Sequence, residues 1–222
     1  MISPNNRLAP SLLAANFANL GKDIKALETA GVSTLHLDVM DGNFVKNISF
    51  GLPVIESIRP LTNMTFDLHL MIKKPSKYIQ RFADAGADII TFHLEIDENI
   101  RKNIELVKST GKKVGLAINP SLDVDWLYHY VKHIDQVTIM TVPAGFGGQE
   151  FMPQMLDKVK EIKTYLNKKD LNVDIQVDGG INLSNVQSTL DAGANVIVAG
   201  SSVFKGGDIP GAVASFNNIL QA

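Results

Sequence analysis

Short, nearly continuous runs of Val, Ile and Leu recur eight times along this chain, each separated from the next by a segment of helical character. The runs are Leu8–Leu13, Thr34–Val39, Thr65–Leu70, Asp88–His93, Lys113–Ile118, Gln136–Met140, Val173–Val177 and Asn195–Ala199. Runs of this kind belong to parallel strands covered on both faces, which leave no side open to water. The intervening segments keep apolar residues on one helical face, as in Leu20, Ile24 and Leu27, or Ile100, Ile104 and Val107. Further helices are expected over Pro53–Ile58, from Pro75, around Trp126–Val131, over Met155–Leu166 and Ser184–Leu190, and from Pro210. Several end in the same way, at Gly31, Gly86, Gly111 and Gly193, each leading into the next strand. Eight strand–helix units with right-handed crossovers close into a (β/α)8 TIM barrel. The alternative, an open doubly wound sheet, lacks its usual G-x-G-x-x-G turn here: Ser11 ends the first strand and no glycine occurs before Gly21. The expected fold class is therefore α/β, one (β/α)8 barrel over residues 1–222, a length short for two complete domains.

Composition narrows the function classes. The 21 basic and 23 acidic residues are scattered, so no basic stripe points to nucleic acid. A run of about 18 apolar residues, the minimum for a membrane span, is missing. The stretch Met1–Arg7 lacks the charged start and apolar run of a signal peptide, so a cytoplasmic location is expected. Cysteine is absent, which excludes disulfides, thiolate ligands and thiol nucleophiles; any metal must be held by His, Asp or Glu.

In such a barrel the active site lies at the C-terminal ends of the strands. Alternation along a strand places His36, Asp38 and Met40 on one face of the second run, with Leu35, Leu37 and Val39 toward the helices. By the same count Asp67, His69 and Met71 point inward from the third run, and Asp174, Gln176 and Asp178 from the seventh. One strand-end histidine, or one Asp-Gly pair, is ordinarily structural. His36, Asp38, His69 and Asp178, all in inward phase at three strand ends, are not explained as turns. Two imidazoles and two carboxylates suit Zn²⁺, Fe²⁺, Co²⁺ or Mn²⁺ better than Mg²⁺ or Ca²⁺, which prefer oxygen shells. Asp67 is placed to be an outer partner of these ligands. His93 reads as hydrogen-bonded structure, and His129 and His133 as solvated helix positions.

Three glycine-bearing loops follow the sixth, seventh and eighth runs: Gly145-Phe146-Gly147-Gly148, Gly179-Gly180 and Gly200-Ser201. Glycine lets backbone N–H groups approach an anion closely, and Lys205 is the one cation nearby. A phosphate held here would rest mainly on backbone N–H groups.

Taken together, Ala9-Pro10-Ser11-Leu12-Leu13, His36-Leu37-Asp38-Val39-Met40-Asp41-Gly42, Asp67-Leu68-His69-Leu70-Met71, Gly145-Phe146-Gly147-Gly148-Gln149 and Val177-Asp178-Gly179-Gly180 resemble ribulose-phosphate 3-epimerase. The resemblance runs from the first strand to the eighth. It implies a metal-dependent barrel enzyme interconverting D-ribulose 5-phosphate and D-xylulose 5-phosphate. It implies His36, Asp38, His69 and Asp178 as metal ligands, with Asp38 and Asp178 also moving protons. Ser11 and His69 would contact the sugar, and Met40, Met71 and Met140 would line the reacting carbons. Gly145, Phe146, Gly147, Gly148, Gly179, Gly180, Gly200 and Ser201 would surround the phosphate end. The resemblance also implies a homo-oligomer, a dimer or hexamer.

Three positions depart from the family pattern. Val142-Pro143-Ala144 stands where Val-Asn-Pro is usual, Lys46 where proline is usual, and Gln176 where glutamate is common. None is a proposed ligand. The rival readings are 3-epimerisation of a six-carbon ketose such as D-allulose 6-phosphate, and non-catalytic binding of a sugar phosphate. Decarboxylation or aldol chemistry of related barrels goes with an Asp-x-Lys-x-x-Asp motif, and Asp38-Val39-Met40-Asp41-Gly42 has no lysine.

Overall fold

The computed structural model describes residues 6–221. Residues 1–5, and with them most of the stretch behind the signal-peptide expectation, lie outside the described residues. The strands are β1 (Arg7–Pro10), β2 (Thr34–Met40), β3 (Thr65–Met71), β4 (Ile89–His93), β5 (Lys113–Ile118), β6 (Gln136–Met140), β7 (Asp174–Asp178) and β8 (Val196–Ala199). The helices are α1 (Leu20–Thr29), α2 (Leu52–Ile58), α3 (Ile79–Asp84), α4 (Ile100–Ser109), α5 (Asp125–Tyr128), α6 (Met155–Lys168), α7 (Val186–Ala192), α8 (Ser201–Phe204) and α9 (Ile209–Leu220). The strands form one parallel sheet in the order β1-β8-β7-β6-β5-β4-β3-β2. A parallel bridge between Ser11 and His36 joins its two ends, so the sheet curls into the expected eight-stranded barrel. Among the described residues no helix is long and apolar enough to cross a membrane.

Alternation along each strand divides the molecule into two interiors. Leu35, Leu37, Leu68, Leu70, Val114 and Leu116 face outward and join Ile24, Leu27, Ile104 and Val107 of the helices in one apolar core. That core is the layer between barrel and helices, and its burial is the main driving force of the fold. The barrel's own interior is different. A small apolar patch of Ala9, Val196 and Val198 sits beside a set of fully buried polar groups that includes His36, Asp67, Thr91, Gln136, Thr138 and Gln176.

Several boundaries differ from the sequence expectation for local reasons. The first strand stops at Pro10 because Ser11 caps a 3₁₀ turn over Leu12–Ala14, its Oγ accepting from the Leu13 N–H. Pro75 opens a 3₁₀ turn, and α3 begins only at Ile79. The segment expected to be helical over Trp126–Val131 is helical at Asp125–Tyr128 and then tightens into a 3₁₀ turn at Val131–His133. The four-residue α8 is too short for periodicity to reveal. The expected helix-stop glycines 31, 86, 111 and 193 all have positive φ, between 75° and 111°.

Gly115 of β5 faces the polar interior, where a Cβ would collide with Thr91 Oγ1. Gly115→Ala is therefore expected to cost about 1–3 kcal/mol through overpacking. Urea unfolding of that variant, and of Gly115→Ala combined with Thr91→Ala, checks the cause, because the second change should restore part of the loss.

At the opposite end of the barrel from the strand C-termini, Arg7 donates to Asp174 at 2.6 Å and Asn195 Nδ2 donates at 2.7 Å. Partial burial works against the charged carboxylate, but Arg7 and Asn195 outweigh it and hold Asp174 below the usual carboxylate range. A depressed folded-state pKa adds stability above the unfolded value near 3.9, and the gain disappears as pH falls through the lower folded value. Asp174→Asn should thus be less stable than the parent by about 1 kcal/mol at neutral pH. The difference should shrink below about pH 4 in parallel denaturation series.

Candidate metal centre and active site

Strands β2, β3 and β7 bring His36, Asp38, His69 and Asp178 together, with one ligand atom from each lying within 4.8 Å of the others. His36 Nε2 is 3.3 Å from Asp38 Oδ1 and 3.6 Å from Asp178 Oδ2. His69 Nδ1 lies 3.2 Å from each of the same two oxygens. A tetrahedral ion with ligands at about 2.0–2.1 Å has ligand–ligand edges of about 3.3–3.4 Å, close to these separations.

The hydrogen bonds behind the cluster are consistent with one set of ring tautomers that suits a bound cation. A carboxylate can only accept. Asp67 Oδ2, 3.0 Å from His36 Nδ1, therefore accepts the N–H of that nitrogen, and in the neutral ring Nε2 is left as a lone pair. His36 Nε2 is buried and has no hydrogen-bond partner among the described residues. The second imidazole is arranged the same way at one remove. Glu95 Oε2 and Asn119 Nδ2 both lie 3.3 Å from His93 Nδ1; with Nδ1 donating to the carboxylate, His93 Nε2 accepts from His69 Nε2 at 2.9 Å. His69 Nδ1 lies 3.2 Å from Asp38 Oδ1, to which it donates when it carries the proton; with the proton on Nε2 it faces the site as a lone pair. In that tautomeric state two lone pairs and two carboxylate oxygens converge on one point, an arrangement that a divalent cation completes.

Electrostatics point the same way. Burial alone would lower the proton affinity of His36 and His69, but Asp38 and Asp178 beside them raise both above the usual histidine range. Burial likewise opposes charge on Asp38 and Asp178, and the adjacent imidazoles nevertheless hold both below the usual carboxylate range. The site favours positive charge at its centre. His93 departs in the other direction: burial lowers it, against the pull of Glu95. It is kept neutral, as its linking position requires.

Above this cluster opens a cavity of about 420 Å³. Asp38, Asp178 and Ser11 reach its floor, and Met40, Met71 and Met140 form part of its wall. Gly145, Phe146, Gly147 and Gly148 line one side; Gly179, Gly180, Gly200 and Ser201 line another, with Lys205 the lining cation among the described residues. His36 and His69 lie beneath, fully buried. Ser11 Oγ donates to Asp38 Oδ2 at 2.5 Å, so one carboxylate oxygen is tied while the other faces the histidines. His129 and His133 are exposed, and neither is among the residues lining the cavity.

The glycines serve different purposes. At Gly180, with φ of +69°, a Cβ would sit 2.6 Å from the backbone nitrogen of Phe151, so the loops after β6 and β7 interlock there. At Gly148 a Cβ would meet nothing within 4 Å, which leaves the backbone open. The sequence reading takes His93 as structure and misses Glu95 and Asn119. The Asn119 backbone N–H donates to Glu95 Oε1 at 2.7 Å, and Asn119 Oδ1 accepts from the Ala144 N–H at 2.9 Å. The His93-Leu94-Glu95 spacing, a histidine and a carboxylate at a strand end, was the available signal.

Comparison with known proteins agrees with this geometry. Residues 7–204 match the model of the ribulose-phosphate 3 epimerase family. The chain belongs to that family. A ribulose-phosphate 3-epimerase of Synechocystis is 43% identical over 98% of this chain and 95% of its own length. One from Bacillus subtilis is 45% identical over 89% of this chain and 92% of its own. Among solved structures, a 3-hexulose-6-phosphate synthase from Salmonella typhimurium superposes with a TM-score of 0.73, at 19% identity and over 97% and 98% of the two chains. A tryptophan synthase α-subunit from Pyrococcus furiosus gives 0.70 at 16% identity over the full length of both. These two share the barrel fold, whereas the epimerase relatives share the sequence throughout. In this member of the ribulose-phosphate 3-epimerase family the four-residue cluster could hold a metal ion.

Protein stripped by chelator should take up one equivalent of Co²⁺ or Zn²⁺ in a titration, with a rise in melting temperature. Excess ligand at 100 times its dissociation constant adds about 2.7 kcal/mol to stability. His69→Ala, which removes one lone pair, should lose most of that rise.

Proposed function

We propose that this chain catalyses metal-dependent 3-epimerisation of a ketose phosphate, converting D-ribulose 5-phosphate to D-xylulose 5-phosphate. The observation that carries the reading is the meeting of Asp38 and Asp178, from β2 and β7, beneath a glycine-rimmed cavity in a member of this family. In the ring, β1 and β8 stand between these two strands, so the carboxylates arrive from different directions.

Inverting a carbon next to a carbonyl requires a proton to leave one face and another to arrive on the opposite face. Two acid–base groups must therefore flank a planar enediolate, one charged and one protonated at any moment. Asp38 and Asp178 take these roles and exchange them when the reaction reverses. His36, Asp38, His69 and Asp178 would hold the divalent ion, Zn²⁺, Fe²⁺, Co²⁺ or Mn²⁺. When bound, that ion supplies Lewis-acid polarisation of the substrate carbonyl. Ser11 holds Asp38 in orientation through its hydroxyl and lies at the sugar end of the cavity. Met40 and Met71 cluster with Val45 apart from the main core and, with Met140, keep water from the reacting carbons. The backbone N–H groups of the loops after β6, β7 and β8 receive the phosphate, with Lys205 at the same cavity. Self-association belongs to the same reading; exposed Phe17, Ile48 and Leu61 offer apolar surface for it.

Turnover in ²H₂O should place deuterium at C3 of the product, seen by proton NMR. Asp38→Asn and Asp178→Asn should each lower kcat by about 10²–10⁴-fold or more while leaving the melting curve cooperative. Near-parental rates in either variant, or label confined to C1, would rule out two-carboxylate epimerisation.

A further inference from the structure

Beneath the metal cluster, Asp67 is fully buried in the barrel interior, and three donors converge on it. His36 Nδ1 reaches Oδ2 at 3.0 Å, Gln176 Nε2 reaches the same oxygen at 2.5 Å, and Gln136 Nε2 reaches Oδ1 at 3.1 Å. Thr138 fixes which way the Gln176 amide points, because its hydroxyl donates to Gln176 Oε1 at 2.8 Å. Gln136 has no such support: its Oε1 is buried with no hydrogen-bond partner among the described residues. An orphaned buried carbonyl is unfavourable. The one strong contact that Gln136 makes in return is the bond from its N–H to Asp67; the other, to Thr91 Oγ1, is long at 3.5 Å.

We infer that Gln136 and Gln176 are positioning residues of the metal centre, which clamp Asp67 so that it orients His36 and presents the Nε2 lone pair to the ion. The inference rests on the metal-dependent reading above. A carboxylate with a single donor can swing about its Cβ–Cγ bond, and the imidazole it holds swings with it. Two amides, approaching from β6 and β7, fix both oxygens at once. Asp67, on β3, then reaches across the register to His36 on β2, its paired residue in the ladder. The clamp needs donors, which glutamine supplies and a carboxylate or an aliphatic side chain does not. Gln176, one of the departures from the family pattern, is thereby given a task that depends on its amide. Outer partners of metal-bound histidines typically change metal affinity by about 10–100-fold when removed.

The test measures Zn²⁺ affinity by competition with a chromophoric chelator, and the visible absorption of the Co²⁺ form, on full-length protein. Gln176→Met and Gln136→Met preserve length and remove the donor. Each should weaken Zn²⁺ binding on the order of tenfold and alter the Co²⁺ bands, and Asp67→Asn should do so on the order of a hundredfold. The deciding arm repeats Gln176→Met in a His36→Ala background. A residue that acts through His36 should have no further effect on affinity there, so the two losses should not add. Equal losses in both backgrounds, or unchanged affinity and spectrum in both methionine variants, would overturn the inference. Melting of the stripped proteins identifies any variant that has failed to fold, and Gln136→Met, which also removes the orphaned carbonyl, is the second route if Gln176→Met does. Parental protein that takes up neither ion would instead overturn the metal reading, and the inference with it.

Discussion

Two imidazole nitrogens and two carboxylate oxygens face one buried point, where as lone pairs they would repel, and the rest of the site follows from that conflict. Each group alone could be settled by rotation or by a proton. Here rotation is blocked because each ring is held from behind: His36 by Asp67, and His69 by His93 and Glu95. Protonation is the other escape, and the raised proton affinity of both histidines shows how strongly the centre draws positive charge. A divalent ion meets the same demand with better geometry, since one charge centre contacts four donors at once.

Holding polar groups in that state requires a barrel whose interior is itself polar. Most of the apolar burial in this fold lies outside the strands, against the helices, so the interior need not supply it. The interior can then be given to hydrogen bonds whose value is directional. The cost is that each buried donor and acceptor needs a partner. Among the described side chains the two buried atoms left without one, His36 Nε2 and Gln136 Oε1, belong to the four-residue cluster that could hold a metal ion and to the hydrogen-bonded groups around Asp67 beneath it. Imperfect satisfaction is concentrated where chemistry is expected, rather than spread through the core.

Much of this is legible in the chain alone. Eight buried runs with glycine stops imply the barrel, and alternation along three of them puts His36, Asp38, His69 and Asp178 on one inner surface. Period two along a strand is a rigid rule, and it carries through. What it does not supply is contact between strands. Asp67 is in the correct phase, yet its pairing with His36 depends on the register of β2 against β3, which sequence periodicity leaves open. His93 reads as structural because a single histidine at a strand end carries no direction. Its role emerges only from the 2.9 Å approach of a ring on the neighbouring strand. Gly179 and Gly180 suggest anion binding from sequence, whereas the close backbone of Phe151 gives Gly180 a packing reason as well.

The shifted proline after β6 shows how a departure from a family pattern can be resolved by one hydrogen bond. A proline at position 144, as in the usual Val-Asn-Pro, has no N–H to donate. With proline at 143 and alanine at 144, that N–H is present and goes to Asn119 Oδ1. Asn119 in turn donates its backbone N–H to Glu95, and both residues lie against His93 Nδ1. On the other side of the same loop, Asn47 Nδ2 donates to the Gly145 carbonyl, and Gln149 bridges the carbonyls of Pro143 and Phe146. The loop is thus held at its base by the segment after β5, by the segment after β2 and by its own glutamine. Phe146 and Gly147 at its tip stay exposed. Anchoring at the base and exposure at the tip suit a loop that is to meet a phosphate without disturbing the ligands below. In this chain the base is secured by an amide that the usual proline would remove.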